Sequence, residues 1–211
     1  MIVGSLASIW RYPVKSLRGE PLDSVAVDAA GIPGDRSSAL FVRSGHAREG
    51  KTFRGKEHDR LHLTNDPVEA VRLGAERGVA LEHQIGEHFF DDAPISLLLD
   101  VWLRELRVHA GYEVQPERFR PNFFVRARPD FGLKEGDLAD AELLLGAVRL
   151  RVRDPIGRCV TTTYDPEGAA SDPEVLQFVV RERNGWMGVY CDVLQAGVVR
   201  TGDDVVLRAS S

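Results

Sequence analysis

The stretch AVRLRVRDPIGRCVTTTYDPEG, residues 147–168, joins the pattern of a β-strand to a turn that contains one of the two cysteines of the chain. Its first half alternates arginine with the apolar residues Val148, Leu150 and Val152. This period of two is typical of a strand with one buried face. The strand is predicted to end at Asp154-Pro155. Cys159 is therefore expected near a strand end, in a loop that presents side chains to a pocket.

Other short alternating or apolar segments between turns predict further strands. They are GSLASIWRYP (4–13), LDSVAVDAAG (22–31), SSALFVRSG (37–45), RPNFFVRA (120–127), MGVYCDVLQAG (187–197) and DDVVLRA (203–209). Strands at this spacing, with glycine-rich turns, favour a barrel over a parallel sheet.

Residues 68–84, VEAVRLGAERGVALEHQ, are predicted to form a hairpin across GAERG. Its paired apolar residues would be Val71 and Leu73 on one side and Val79 and Leu81 on the other. A helix that begins after Asp66-Pro67 is the alternative for this segment.

Two helices are predicted from apolar spacing and capping residues. In residues 92–106, with Asp92 as the cap, one helix face would carry Ile95, Leu98, Leu99, Trp102 and Leu106. In residues 171–185, Ser171 and Glu174 fit a capping box and Asn184-Gly185 would end the helix.

The resulting fold class is mainly β (α+β). Residues 1–85 are expected to form a smaller β-rich region, and residues 86–211 a β-barrel with two or three helices. Because no Pro/Ser-rich linker separates them, the two parts are expected to pack tightly.

Composition excludes several classes of protein. The chain has 211 residues, 43% of them hydrophobic, and a net charge of −5, which counts against a general nucleic-acid binder. Two cysteines form neither a disulfide framework nor a zinc motif. The sequence begins with no signal-peptide pattern and contains no apolar run long enough to span a bilayer, so a soluble cytoplasmic protein without membrane contact is expected.

Two interpretations of Cys159 are open. A lone cysteine is often a small buried apolar residue. In a loop beside Arg158, however, its thiolate would be favoured and could act as a nucleophile or as a soft metal ligand. No evident histidine base accompanies it, which counts against a cysteine hydrolase. Cys191, within an apolar run, is predicted to lie in the core.

Three other turns carry candidate binding residues. YPVKS (12–16) offers Lys15 and Ser16 to an anion, and GIPGDRS (31–37) offers Arg36. In RFRPNFFV (118–125), Arg120 and Asn122 flank a proline, and the asparagine amide could meet the edge of a heterocycle. Taken singly, such a turn is more often an ordinary solvated turn, and Arg36 could instead be a surface residue or form an ion pair with Asp35.

The motifs YPVKS, GDR, RFRPN and RCVTTTYDP occur in this order, and together they resemble the signature of the MOSC family. This domain is found at the C-terminus of molybdenum-cofactor sulfurases. The resemblance extends to the subgroup with an N-terminal β-barrel region, which includes the mitochondrial amidoxime-reducing components and their bacterial relatives. It covers nearly the whole chain, from SIWRYPVKSLRGE to GVVRTGDDVV.

The resemblance implies a molybdenum cofactor, in which molybdenum is carried by molybdopterin. It makes Cys159 the metal ligand and the catalytic residue. The cofactor-binding residues it implies are Lys15, Ser16, Arg36, Arg120, Asn122 and Arg158. The sequence departs from relatives at LLLDVWL (97–103), which lacks small hydroxyl residues, and at LKEGDLAD (133–140), where Glu135 and Asp137 are structural or supporting candidates.

The activity implied is the reduction of N-hydroxylated compounds such as hydroxylamines, amidoximes and N-hydroxylated bases. Its electrons would come from a separate donor protein, which could be ferredoxin-like, a flavoprotein or cytochrome b5-like. Two alternatives stay open: a sulfur carrier with a persulfide on Cys159, and a carrier of the cofactor without turnover.

Overall fold

The computed structural model describes residues 1–86 and 88–208, which form twelve strands and three α-helices. The helices are α1 (Pro67–Glu76), α2 (Asp100–Ala110) and α3 (Pro173–Glu182). The strands are β1 (Ile2–Arg11), β2 (Glu20–Leu22), β3 (Ser24–Val27), β4 (Ser38–Ser44), β5 (Ala80–Ile85), β6 (Ile95–Leu99), β7 (Phe123–Ala127), β8 (Glu142–Leu145), β9 (Val148–Gly157), β10 (Trp186–Gln195), β11 (Gly197–Arg200) and β12 (Asp204–Arg208).

Seven strands close into a barrel in the order β1-β12-β8-β9-β10-β6-β7, and β7 pairs back with β1. Neighbours are antiparallel except β6 and β7, which run parallel with Leu97 opposite Phe123. The predicted mainly-β barrel with two or three helices is confirmed. Among the described residues, no helix has the length and apolar character needed to cross a membrane.

The N-terminal region contributes to the barrel and also has a core of its own. β1 and β2 lie in the barrel sheet, whereas β4 pairs with β5 in a separate ribbon. A second apolar cluster, drawn entirely from residues 14–81, packs α1 against that ribbon. The division into residues 1–85 and 86–211 stays a prediction.

Strand β9 has its predicted inward face, since Val148, Leu150 and Val152 are all fully buried. It continues beyond the predicted end, through Pro155 to Gly157. Its pairing with β10 is irregular there. An irregular ladder tolerates a residue with no N–H to donate.

The predicted helix over residues 92–106 is wrong in its first half. Ile95–Leu99 is the barrel strand β6, and all five of its residues are buried. A short apolar run that is covered on both faces fits a helical period as well as a strand. The helix α2 begins only at Asp100 and ends before Gly111, which adopts the left-handed conformation at φ 74°.

The predicted hairpin over residues 68–84 is also wrong, and the alternative helix is correct. The side chain of Asp66 accepts a hydrogen bond from the Val68 N–H at 2.9 Å, with Pro67 in the first turn of α1. This cap marks the start of the helix, and burial of Ala70 and Leu73 against β4 and β5 stabilises it. Only the last part of the segment, β5, is a strand.

The helix α3 forms where it was predicted, but its capping box does not. The N-cap is Asp172, whose carboxylate accepts from the Glu174 N–H at 2.9 Å. Ser171 instead forms a bridge to Tyr164 and places its hydroxyl 2.8 Å from that of Thr163. Ser171 therefore stabilises the cysteine loop rather than the helix.

Candidate functional site

A cavity of about 580 Å³ opens at one end of the barrel, and its wall includes every site residue expected from the sequence. These residues are Lys15, Ser16, Arg36, Arg120, Asn122, Arg158 and Cys159. They come from four turns that are far apart in sequence. The volume is in the range of small-molecule and cofactor sites.

Cys159 lies on the cavity wall and is exposed. It precedes a short 3-10 helix, Val160–Thr163, and its Sγ lies 3.2 Å from the Thr161 hydroxyl. The buried-core reading of Cys159 is therefore wrong. Cys191 is fully buried in β10, as predicted, and burial raises the pKa of its thiol.

Gly55 allows two of the cavity loops to meet, and sequence reasoning missed it. The hydroxyl of Ser16 accepts a hydrogen bond from the Gly55 N–H at 3.0 Å. A Cβ on Gly55 would lie 3.2 Å from the Thr161 methyl group. The loop that carries Lys15 and Ser16 is thus brought against the loop that carries Cys159.

Arg158 is bound mainly by the protein itself. Its Nε donates to the Met187 carbonyl at 2.6 Å, and its Nη1 donates to the Phe119 carbonyl at 2.8 Å. A second N–H also reaches the Met187 carbonyl. Burial of the guanidinium lowers the pKa of Arg158 to about 10, with nearby Tyr190 and Cys159 acting against that effect. Arg158 thereby fixes the backbone next to Cys159.

Arg36 lies deep in the cavity wall rather than in bulk solvent. It forms an ion pair with Asp35, whose side chain is buried, and its own side chain is 15% exposed. It also donates to the Asn122 side-chain oxygen and to the Arg120 carbonyl, both at 3.3 Å. Its guanidinium lies 4.8 Å from the centre of the Tyr12 ring.

Arg120 packs on the same ring, with its guanidinium 4.2 Å from the centre of Tyr12. Its Nη1 donates to the Leu17 carbonyl at 2.5 Å, while its Nη2 is buried and has no hydrogen-bond partner among the described residues. Burial lowers the pKa of Arg120 to about 10. An unpartnered buried N–H is costly in a finished site, which favours a ligand acceptor here.

Asn122 is fully buried, and its amide is used within the protein. Its oxygen accepts from the Ser96 N–H at 3.0 Å and from the Ser96 hydroxyl at 2.9 Å, and its nitrogen donates to the Trp10 carbonyl at 3.3 Å. Asn122 therefore ties β1 and β6 together beneath the cavity. Its contact with a heterocycle stays a prediction.

Backbone strain concentrates at the predicted binding residues. Five described residues other than glycine have a positive φ, and Ser16, Arg36 and Arg120 are three of them, at 73°, 46° and 52°. The other two are Asp140 and Asn184, which belong to the residue types that enter this region most readily. Non-glycine residues held in such conformations cluster at ligand sites.

His62 belongs to the cavity wall, although nothing near it in sequence suggests a site. Its Nε2 lies 2.7 Å from the Asp165 carbonyl and 3.2 Å from the Gly168 carbonyl, and its ring stacks on Tyr164 with centroids 5.3 Å apart. Burial lowers the pKa of His62. His62 shares the cavity wall with Cys159, while the contacts of its ring are with Tyr164, Asp165 and Gly168.

The cavity concentrates positive charge in a chain of net charge −5. Its wall contains eight basic residues and three acidic ones. Most of the basic side chains have partners, as Lys15 does in Asp91, 2.6 Å away. Arg18 and Lys56 are exposed on the wall, and their side chains contact no hydrogen-bond or ionic partner among the described residues. The cavity is suited to an anionic ligand.

Residues 97–103 and 133–140, where the resemblance led us to expect differences from relatives, are not on the cavity wall. Asp100 accepts from the Ala127 N–H at 2.8 Å, and Trp102 donates to the Leu133 carbonyl at 2.9 Å. Asp137 accepts from the Lys134 N–H at 2.8 Å. Asp100 and Trp102 therefore use their polar groups on backbone groups of the protein itself.

Comparison with known proteins gives the same family for both parts of the chain. Residues 85–206 match the MOSC domain, and residues 3–96 match the MOSC N-terminal beta barrel domain. Mitochondrial amidoxime reducing component 2 from Macaca fascicularis is 23% identical, over 96% of this chain and 83% of its own. Mitochondrial amidoxime-reducing component 1 from Homo sapiens is 24% identical, over 97% of this chain and 83% of its own. The crystal structure of the YUAD protein from Bacillus subtilis is similar in fold, with a TM-score of 0.60 at 18% identity, and covers 99% of this chain and 97% of its own.

Proposed function

The chain belongs to the MOSC family, and from that premise we propose that it binds a molybdenum cofactor in the cavity and reduces N-hydroxylated compounds. The observation that carries this proposal is the exposed thiol of Cys159 on the wall of a cationic cavity that also contains three strained binding residues. The relatives named as amidoxime reducing components support the substrate class.

The residues present fit such a cofactor. A thiolate is a good ligand for a soft metal. Arg120 has a buried Nη2 that lacks an acceptor, which a phosphate oxygen would supply. The excess of basic residues on the wall suits an anionic group. All three properties meet in one cavity.

Each residue would have a distinct role in holding the cofactor. Cys159 would bind the metal, and Arg120 and Arg36 would bind the phosphate, with Lys15 and Ser16 at the same end. Arg158 would keep Cys159 in place through its bonds to backbone carbonyls.

When bound, the cofactor supplies two-electron redox chemistry at the metal. Conversion of a hydroxylamine to an amine and water consumes two electrons and two protons. Among the cavity residues, His62 is a candidate for holding the substrate. Its Nε2 is occupied by two carbonyls, and its Nδ1 has no partner among the described residues. Because burial lowers the pKa of His62, it would act as a neutral hydrogen-bond acceptor.

The electrons would come from a separate donor protein, of ferredoxin-like, flavoprotein or cytochrome b5-like type. The sequence has no G-x-G-x-x-G turn for a dinucleotide, and its two cysteines are too few for a four-ligand iron–sulfur cluster. The exposed cations Arg18 and Lys56 at the cavity favour an acidic donor, which would dock over the loop that carries Cys159. A cytoplasmic location is part of the same proposal.

The test is turnover of a hydroxylamine and an amidoxime by cofactor-loaded protein, with a reduced dye or with NADH as the only donor. We expect about one molybdenum per chain, turnover with the dye, and none with NADH. Labile sulfur without metal would favour the sulfur carrier instead. Full molybdenum loading without turnover by any donor would favour a cofactor carrier.

A further inference from the structure

We propose that Glu135 is a positioning residue that holds Arg158, and with it the backbone of Cys159, through the Met187–Gly188 peptide. The inference rests on the proposed function only for the role it gives to Cys159. Glu135 itself does not line the cavity, and the proposed function gives it no role.

The Met187–Gly188 peptide is removed from the regular ladder of the sheet. The register between β10 and β9 shifts between Trp186 and Val189, and Gly188 has a φ of 90°. Bulges of this kind expose the hydrogen-bonding groups of one peptide and occur next to active sites. Such buried groups need new partners.

Two charged side chains supply those partners from opposite ends of the peptide. The Gly188 N–H donates to Glu135 Oε1 at 3.3 Å. The Met187 carbonyl accepts from the Nε of Arg158 at 2.6 Å. The carboxylate and the guanidinium thus bind the same peptide plane, and the position of one group constrains the other.

The charge of Glu135 is balanced where it lies. Glu135 is 3% exposed and Arg183 is 8% exposed, and their side chains are 2.6 Å apart. A buried ion pair is weak evidence for stability, because desolvation offsets most of the attraction. The carboxylate of Glu135 has a second use, because it accepts the hydrogen bond that orients the Met187–Gly188 peptide. This use accounts for a buried carboxylate at this position.

Arg158 passes this constraint on to the cysteine loop. Its side chain also donates to the Phe119 carbonyl, and its own N–H donates to the Gly185 carbonyl at 2.9 Å. If the bulge peptide rotates, Arg158 loses its main acceptor. The residue next to it in sequence, Cys159, then loses its fixed placement.

The test is the alkylation rate of Cys159 by iodoacetamide in cofactor-free protein, read by mass spectrometry, with buried Cys191 as an unreactive reference. The rate is taken on the plateau at high pH, so that it reports access and placement of the thiolate. Glu135→Gln removes the charge and keeps the shape. Asp137→Asn, an exposed position in the same 3-10 helix, Glu135–Leu138, is the matched control.

We expect Glu135→Gln to change the plateau rate by at least about 3-fold, and Asp137→Asn to leave it unchanged. In an Arg158→Lys background the effect of Glu135→Gln should vanish, because the residue through which it acts is already altered. An equal effect in both backgrounds, or no effect in either, overturns the proposal.

A second variant keeps the test decisive if Glu135→Gln does not fold. Glu135→Asp retains the charge but shortens the reach to the Gly188 N–H, already 3.3 Å away, and should change the rate in the same background-dependent way. Because the measurement uses cofactor-free protein, it stands apart from the proposed function. If the wild-type protein contains no molybdenum, the proposed function is refuted, but the alkylation result still tests the role of Glu135.

Discussion

Replacing Gly188 with alanine should destabilise the fold by about 2–5 kcal/mol, and the structure separates two causes. The backbone at Gly188 has a φ of 90°, which costs an L-residue about 1–2 kcal/mol. The added Cβ would also lie 2.9 Å from the Leu97 carbonyl oxygen and 3.0 Å from Arg158 Nη2. Forcing a methyl group into packed surroundings costs about 1–3 kcal/mol more.

Gly185→Ala is the matched control for the first cause alone. Gly185 lies three residues away with a φ of 79°, and a Cβ there would meet nothing within 4 Å. We therefore expect its free energy of unfolding to fall by only about 1–2 kcal/mol. The difference between the two variants, about 1–3 kcal/mol, measures how tightly the bulge packs against β6 and Arg158.

The assay is urea unfolding of both variants and the wild type, followed by tryptophan fluorescence and circular dichroism together. The midpoints give the change in stability if the slope with denaturant is unchanged. Equal losses in Gly185→Ala and Gly188→Ala would refute the close packing of the bulge. A larger loss in Gly185→Ala would do the same.

Three further predictions concern the thiol, the anchors and pH. Cys159→Ser should abolish turnover yet change the free energy of unfolding by less than about 0.5 kcal/mol. Cys191→Ser, at a buried position, should lower the free energy of unfolding in urea by about 1–2 kcal/mol. Wild-type turnover in Cys159→Ser would contradict the metal-ligand role. Arg36→Ala should lower the molybdenum content per chain more than Ser16→Ala does, because a charged hydrogen bond is worth about 1.5–3 kcal/mol and a neutral one about 1 kcal/mol. The reverse order would count against a phosphate bound to Arg36. Burial lowers the pKa of His58, so the folded state resists its protonation, and stability should fall as the pH drops below about 6.5. That fall, measured by unfolding at about pH 7.5 and about pH 5.5, should be smaller in His58→Gln, and an identical fall would show that other groups cause it.

The sequence identified residues that share one cavity because they lie in turns with recognisable residue types. Lys15, Arg36 and Cys159 come shortly after a strand or a proline, Arg120 directly precedes Pro121, and all four line one cavity wall. Each motif alone fits an ordinary surface turn. Their order restricts the interpretation, because a barrel of this connectivity brings those turns to one end.

The secondary structure was least predictable where distant strands decide it. The run Ile95–Leu99 is apolar throughout, so its period is uninformative, and its strand form depends on pairing with β7 and β10. Likewise, Asp66 can cap a helix or stand in a turn. The outcome depends on packing of the helix face against β4 and β5, which a local pattern does not contain.

The partners of the supporting residues could not be predicted: the sequence named Glu135 only as a structural or supporting candidate, and it did not single out His62. Glu135 reaches Arg183 across 48 positions, and His62 reaches Asp165 across 103. The sequence alone does not distinguish a buried carboxylate from an exposed one. Only the fold determines which one binds the bulge peptide.

The strained backbone separates the demands of the fold from those of the site. Asp140 and Asn184 have positive φ values in turns, which their short polar side chains tolerate. Serine and arginine do not adopt positive φ readily. Glycine at position 16 or 36 would remove about 1–2 kcal/mol of unfavourable backbone conformational energy. Glycine would also remove the hydrogen bond from Gly55 to Ser16 and the ion pair of Arg36 with Asp35. Both side chains lie on the wall of the cationic cavity, where the proposed function assigns them to an anionic ligand.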